Sequence, residues 1–149
     1  IGDPVFEKLD ANLSKALMSI GAVKCVEIGD GIMAASAAGS SNNDAFTLDQ
    51  DGHITKKTNH AGGILGGISD GSDIVLRASF KPTPSIYSTQ HTVNRSHEEI
   101  DIQIKGRHDP IIVPRAVVVV ESMTAITLID ALMTGMSAKL SNLKLIWGH

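Results

Sequence analysis

The chain has 149 residues, of which 42% are hydrophobic and 19% are charged, an ordinary composition for one soluble globular domain. Its formal charge of −3 and its 3% of aromatic residues argue against a nucleic-acid or anionic-membrane partner, which would require basic patches or stacking side chains. No apolar run approaches the roughly 20 residues that span a bilayer. Cys25 is the only cysteine, so an internal disulfide is excluded and a cytoplasmic location is expected.

The first part of the chain predicts a helix, a strand and a long surface excursion. Asp3 and Pro4 are typical of a helix start, because an acceptor side chain can cap the first amides and proline suits the first helical position. Apolar residues then recur at helical spacing up to Gly21, which is well placed to end the helix. Residues 22–28 alternate like a half-buried strand, and the polar residues 35–59 predict an excursion over the surface.

The remaining elements are strands followed by a long helix. Residues 72–80, 92–93 and 99–105 have the composition of strands, and the apolar segment 115–136 is long enough to be a buried helix. Two helices with four or five strands predict an α+β fold in which helices pack on an antiparallel sheet. The chain starts at Ile1 without methionine, so we expect it to be the C-terminal part of a longer protein.

A glycine cluster precedes the second predicted strand. Five glycines lie between Gly62 and Gly71, where they could bring backbone N–H groups close to a cofactor. Their spacing matches neither the phosphate loop G-x-x-x-x-G-K-[ST] nor the dinucleotide fingerprint G-x-G-x-x-G. The alternative interpretation is a set of tight turns beside a sheet.

Two further motifs carry polar groups suited to an anionic ligand. Residues 81–85 (K-P-T-P-S) offer an ammonium and two hydroxyls on a segment stiffened by two prolines, which suits a phosphate unless the segment is only an exposed strand exit. Residues 106–110 (G-R-H-D-P) bring a fixed cation, an imidazole and a carboxylate into one turn. The alternative for this turn is a surface loop in which Arg107 and Asp109 pair with each other. The spacing of the histidines predicts no metal site.

Several segments, taken in order, resemble the C-terminal part of the chorismate synthase family. The resemblance implies a β-α-β sandwich and the 1,4-anti elimination of phosphate from 5-enolpyruvylshikimate 3-phosphate to give chorismate. It also implies reduced FMN as cofactor, NADPH as a candidate reductant of the flavin, and a homotetramer of the full-length protein. The matching segments are 3–20, 23–31 (V-K-C-V-E-I-G-D-G), 59–71 (N-H-A-G-G-I-L-G-G-I-S-D-G), 81–86 (K-P-T-P-S-I) and 106–121 (G-R-H-D-P followed by P-R-A-V-x-x-x-E).

The resemblance also assigns roles to individual residues. Asp109 matches the family's acid near the flavin, where it would help to relay the proton that the substrate loses. The residues that match FMN contacts are Gly21, Ala22, Gly66, Lys81, Pro82, Thr83, Pro84, Ser85 and Arg107.

The rest of the family's active site has no counterpart in this chain. The two catalytic histidines and most substrate-binding arginines of the family lie in its N-terminal part. We therefore expect residues 1–149 to form a single domain that carries much of the wall of the FMN site and is inactive alone. The alternative function is a non-catalytic module that binds a flavin or a phosphate without turnover.

Overall fold

The computed structural model describes residues 1–3, 5–108 and 110–148. Within them, three α-helices and eight short strands form an α+β fold, as the sequence predicts. Short 3₁₀ turns at Gly31–Ser36 and Met136–Ala138 complete the regular structure. In chain order the elements are α1 (Leu9–Met18), β1 (Val23–Ile28), β2 (Phe46–Leu48), β3 (Ile54–Lys56), β4 (Ile64–Leu65), β5 (Ile68–Ser69), β6 (Leu76–Phe80), β7 (Thr89–Val93), β8 (Glu99–Gln103), α2 (Val113–Gly135) and α3 (Leu140–Trp147).

The strands pair as four separate two-stranded antiparallel ladders and not as one sheet, so the single sheet that we expected is not formed by the described residues alone. Three of the ladders, β2–β3, β4–β5 and β7–β8, join strands that are neighbours in the chain. The fourth joins β1 to the distant β6, with Val23 opposite Phe80 and Ile28 opposite Leu76. This ladder fixes both ends of the intervening excursion and glycine cluster.

The core lies between α1 and the glycine cluster. Leu9, Leu13 and Leu17 follow one another at intervals of four residues, so they share one face of α1, and their side chains are fully buried. Ile64 of β4 joins Leu9 and Leu13 in the buried cluster. Leu128 of α2 packs against the same cluster, which anchors one side of the long helix.

The helix α1 begins later than the sequence predicts. Val5 has a positive φ of 78°, which is not helical, and the first helical residue is Leu9. The amide of Leu9 donates to the carbonyl of Gly67 at 2.8 Å, so a hairpin turn distant in sequence satisfies one of the free amides at the helix start. Asp3 therefore does not cap this helix, and Pro4 lies outside the described residues.

The helix α2 has nearly the predicted bounds, but the prediction that it is buried is wrong. Ala116 is its buried residue, and most of its large apolar side chains are exposed. The apolar sequence of α2 predicted that other parts of the protein cover the helix. Among the described residues, however, only part of one face of α2 packs against the core. The clearly exposed apolar side chains of α2 include Val117, Val118, Ile126, Ile129, Leu132 and Met133.

The segment Val113–Ala138 is also, by length and composition alone, apolar enough to cross a membrane, and only 6% of its most apolar window is buried. We expected no such segment, because no apolar run was judged to approach the roughly 20 residues that span a bilayer. A buried helix of a larger protein passes the same test, so this property does not by itself assign a membrane location.

Two smaller expectations also changed. Cys25, which we expected in the core, is exposed, because the face of β1 that carries it is not covered by the described residues. The C-terminal helix α3 was not predicted, although Leu140, Leu143 and Trp147 follow helical spacing.

Candidate functional site

The turn between α1 and β1 lies beside the start of the segment 81–85, which we call the K-P-T-P-S segment. The carbonyl of Ala22 accepts a hydrogen bond from the amide of Lys81 at 2.8 Å, directly beyond the pairing of Val23 with Phe80. The β1–β6 ladder therefore brings Gly21, Ala22 and Lys81 together, although 60 residues separate the turn from the lysine.

Ala22 has a strained backbone at this point. Its φ is 70°, in the left-handed region that costs an L-residue about 1–2 kcal/mol, whereas Gly21 has no positive φ. The prediction that Gly21 ends the helix is wrong, because the last helical residue is Met18 and its C-cap is Ser19. The left-handed residue of the turn that follows is Ala22. The β1 register is also irregular between Val23 and Cys25, and both features are common next to functional sites.

A second contact joins the K-P-T-P-S segment to the turn 106–110, which we call the R-H-D-P turn. The hydroxyl of Ser85 lies 2.8 Å from Nδ1 of His108, and Nε2 of His108 lies 3.1 Å from the carbonyl of Ile104. The side-chain amide of Gln90, in β7, donates to the carbonyl of Pro84 at 3.2 Å. The chain that follows the β7–β8 hairpin therefore brings His108 back to Ser85 of the K-P-T-P-S segment.

Thr83, in the middle of the K-P-T-P-S segment, has a buried hydroxyl without a partner. Its Oγ1 is inaccessible to solvent and makes no hydrogen bond in the part of the chain that the structure describes. An unsatisfied buried hydroxyl costs about 1–3 kcal/mol, so such groups are rare without a reason. A ligand oxygen that accepts from this hydroxyl would supply the reason.

The structure places Gly66 away from these residues. Gly66 and Gly67 form the two-residue turn of the β4–β5 hairpin, with φ values of 60° and 90° that are typical of a type I′ turn. This turn lies at the start of α1, whereas Gly21 and Ala22 lie just past its end, and a helix of 10 residues is about 15 Å long. The described residues do not bring Gly66 to the other candidate FMN contacts. The hairpin confirms that this part of the glycine cluster makes a tight turn.

The R-H-D-P turn is only partly described. Gly106 has a φ of 140°, and Arg107 follows it with an exposed side chain. Asp109, the candidate catalytic acid, lies outside the described residues.

A buried ionic cluster, which the sequence did not predict, lies beside the glycine residues. The ammonium of Lys56 lies 2.7 Å from a carboxylate oxygen of Asp70 and 3.8 Å from one of Asp44, and the three side chains are 4%, 11% and 5% exposed, respectively. The cluster joins the β2–β3 hairpin of the excursion to the residue that follows β5. Asp44 and Lys56 lie in the stretch 35–59, whose polar composition predicted a surface excursion, and Asp70 lies in the glycine cluster. No local signal marked the three side chains as buried.

Asp44 is the most heavily bonded carboxylate of this cluster. Its oxygens accept from the amides of His60 at 2.8 Å and Ala61 at 2.9 Å, and from the hydroxyl of Thr58 at 2.7 Å. Burial alone would raise its pKa, but the amides of Ala61 and His60, the Thr58 hydroxyl and the Lys56 ammonium lower the pKa from 3.8 to about 2. Burial would also raise the pKa of Asp70, but the hydrogen bonds from Lys56 and Ser72 outweigh it and lower that pKa overall.

The imidazole of His60 extends this network towards β1. Its Nδ1 lies 2.7 Å from a carboxylate oxygen of Asp30, and the side-chain amide of Asn42 donates to the same oxygen at 2.9 Å. The carbonyl of His60 accepts from the amide of Asp30 at 2.9 Å. The backbone at Gly29 packs directly against the carbonyl of His60, so a side chain at position 29 would collide with that carbonyl. His60 is thus held in a structural network.

Comparison with known proteins identifies the family. The family model described as chorismate synthase matches residues 1–133. The chain is 65% identical to the chorismate synthase of Agathobacter rectalis over 143 residues, and 60% identical to that of Methanococcoides burtonii over 131 residues. These matches cover 96% and 87% of this chain but only 39% and 36% of the relatives.

A solved structure agrees with the sequence relatives. The protein described as "Crystal Structure of Chorismate Synthase" superposes with a TM-score of 0.70 at 32% identity, over 91% of this chain and 34% of that one. The chain thus spans about two fifths of the length of the curated relatives that it matches. The chain belongs to the chorismate synthase family.

Proposed function

We propose that the whole protein containing this chain is a chorismate synthase. It would convert 5-enolpyruvylshikimate 3-phosphate to chorismate by 1,4-anti elimination of phosphate, with reduced FMN as cofactor. Residues 1–149 would form one domain that supplies much of the wall of the FMN site. The observation that supports this role most strongly is the meeting of three separate motifs, through the Ala22–Lys81 and Ser85–His108 contacts.

The residues at this meeting point fit an anionic flavin. Thr83 has a buried hydroxyl with no partner among the described residues, so it can donate to a phosphate or flavin oxygen. Lys81, which precedes Thr83 in the sequence, and Arg107, which follows it, are both exposed, and each adds one positive charge. Cations and preorganised donors of this kind stabilise an anionic ligand through charge-assisted hydrogen bonds.

The substrate's chemistry explains why cations are needed here. Reduced FMN, when bound, would supply electron density transiently to weaken the allylic carbon–oxygen bond of the substrate. Lys81, Thr83 and Arg107 would hold the anionic ligands while phosphate leaves. Asp109 is proposed, by resemblance to the family, to take part in relaying the proton lost from the substrate.

The remaining features of the proposal concern the whole protein. We propose a cytoplasmic homotetramer whose partners are FMN and 5-enolpyruvylshikimate 3-phosphate, with NADPH as a candidate reductant and with neither nucleic acid nor membrane as partner. The exposed face of α2 would then pack against other parts of the assembly. The chain alone would be inactive, because it spans only about two fifths of its relatives.

Thr83→Val tests the proposed flavin contact. Valine has nearly the same shape but no hydroxyl, so we expect the unliganded protein to become more stable by about 1 kcal/mol. FMN affinity should fall about 3–10-fold if the hydroxyl donates to the cofactor. Thermal unfolding without FMN measures the expected gain in stability, and fluorescence titration with FMN measures the expected loss of affinity.

Thr55→Val provides a matched control, because Thr55 is an exposed residue of β3. It should leave FMN affinity unchanged. If Thr83→Val also leaves the affinity unchanged, the hydroxyl of Thr83 does not contact the cofactor.

A further inference from the structure

The hydrogen bonds of His108 determine which groups donate. The carbonyl of Ile104 can only accept, so Nε2 of His108 must carry the hydrogen of the 3.1 Å contact. In a neutral imidazole the other nitrogen, Nδ1, is then an acceptor. When the imidazole is neutral, the hydroxyl of Ser85 donates to Nδ1 across 2.8 Å, and its hydrogen is used within the protein.

His108 is also the residue at which the described part of the R-H-D-P turn, residues 106–108, is held. Residues 104–107 are exposed, whereas His108 is half-buried. Gly106, in the left-handed region, would have no atom within 4 Å of an added Cβ, so the chain just before Arg107 is loosely packed. The bond to Ser85 connects this turn to a segment 23 residues away in sequence.

We propose that His108 is a positioning residue: through its bond to Ser85 it holds residues 106–108 on the K-P-T-P-S segment. It would thereby fix Arg107 for ligand binding without itself touching the ligand. This inference rests on the proposed function for its ligand, FMN, but the contact between the two segments can be measured without any ligand. It also predicts that Ser85 acts together with His108 and not as an independent FMN contact.

A double-mutant cycle tests whether the two side chains act as one unit. In the whole protein, Ser85→Ala and His108→Gln should each weaken FMN binding about 3–10-fold, the effect of losing one neutral hydrogen bond. The double variant should be no weaker than the worse single variant, because the same contact is lost in each case. Ser85→Thr, which keeps the hydroxyl, should restore wild-type affinity.

Tryptic cleavage tests the positioning role without FMN. Cleavage after Lys105 and Arg107, identified by mass, should be severalfold faster in Ser85→Ala and His108→Gln than in the wild type, with the thermal midpoint unchanged. His53→Gln is the control, because His53 is exposed in the β2–β3 turn, with 78% of its side chain accessible.

The outcomes separate this inference from the proposed function. Multiplicative losses of FMN affinity, or wild-type cleavage rates in both single variants, would overturn the positioning role. If the wild-type protein binds no FMN, but tryptic cleavage is faster in both single variants than in the wild type, the positioning role is supported and the proposed function is contradicted.

Discussion

Asp109→Asn is expected to lower turnover of 5-enolpyruvylshikimate 3-phosphate by about 10²–10⁴-fold in the whole protein, the range typical of losing a general acid or base. The amide has the shape of the carboxylate but cannot take up and release a proton at neutral pH. FMN affinity should stay within about threefold of wild type, because a hydrogen-bonding side chain of the same size remains. Phosphate release under anaerobic conditions and fluorescence titration with FMN measure the two quantities.

The control for this variant is Asp51→Asn, the same chemical change at an exposed position between β2 and β3. It should leave both turnover and FMN affinity unchanged. Wild-type turnover in Asp109→Asn would exclude the proton relay at this residue. A wild-type protein that binds FMN but shows no turnover would favour the alternative of a non-catalytic flavin or phosphate-binding module.

Asp44→Asn is expected to destabilise the protein by about 2–4 kcal/mol, as measured by urea unfolding at about pH 7. Asparagine keeps one acceptor oxygen, but its NH₂ group would face either the N–H of Ala61 and the Lys56 ammonium, or the N–H of His60 beside the Thr58 hydroxyl. In either orientation it faces at least one N–H that can only donate. The NH₂ group and the N–H that it faces would both lack an acceptor in this nearly buried site, which destabilises the folded state. The buried ammonium of Lys56 also loses one of its two carboxylate partners.

The same carboxylate should make stability depend on acid pH. Its pKa is about 2 in the folded chain against 3.8 for an unperturbed aspartate, so the unfolded state binds the proton more readily. The stabilisation, about 2 kcal/mol, is present above about pH 5 and is lost as pH falls towards about 2. Asp70, whose pKa is also lowered, contributes in the same direction.

A pH series of unfolding measurements checks this dependence. The loss of stability between about pH 5 and pH 2 should be smaller in Asp44→Asn than in the wild type. Asp51→Asn, at an exposed position, should change stability at neutral pH by less than about 0.5 kcal/mol and keep the wild-type pH dependence. Equal acid sensitivity in wild type and Asp44→Asn would contradict the role given to this cluster.

The sequence predicted the elements whose signals are local. The helix α2 was placed within about two residues at either end, and the strands β1, β6 and β8 lie within predicted segments. The start of α1 was wrong because its first amide is satisfied by Gly67, a contact that helix-capping patterns cannot reveal. The exposure of α2 could not be predicted either, because an apolar sequence shows that a face needs a partner without showing which residues supply it.

The candidate site was predictable as a set of motifs but not as a geometry. The resemblance selected the K-P-T-P-S segment and the R-H-D-P turn, and the structure supplies the Ser85–His108 contact that joins them. The cluster of Lys56 with Asp44 and Asp70 was invisible in the sequence, because its members are 12 to 26 residues apart and divided between the polar excursion and the glycine cluster. Burial of such charges follows from tertiary contacts and not from local composition.

The proposal that the whole protein is a flavin-dependent chorismate synthase can be tested by its reaction. The test is anaerobic release of phosphate from 5-enolpyruvylshikimate 3-phosphate by the whole protein, with reduced FMN and with oxidised FMN in parallel. We predict phosphate and chorismate in equal amounts with reduced FMN and none with oxidised FMN. A folded, FMN-saturated protein that releases no phosphate with reduced FMN would contradict the proposed function.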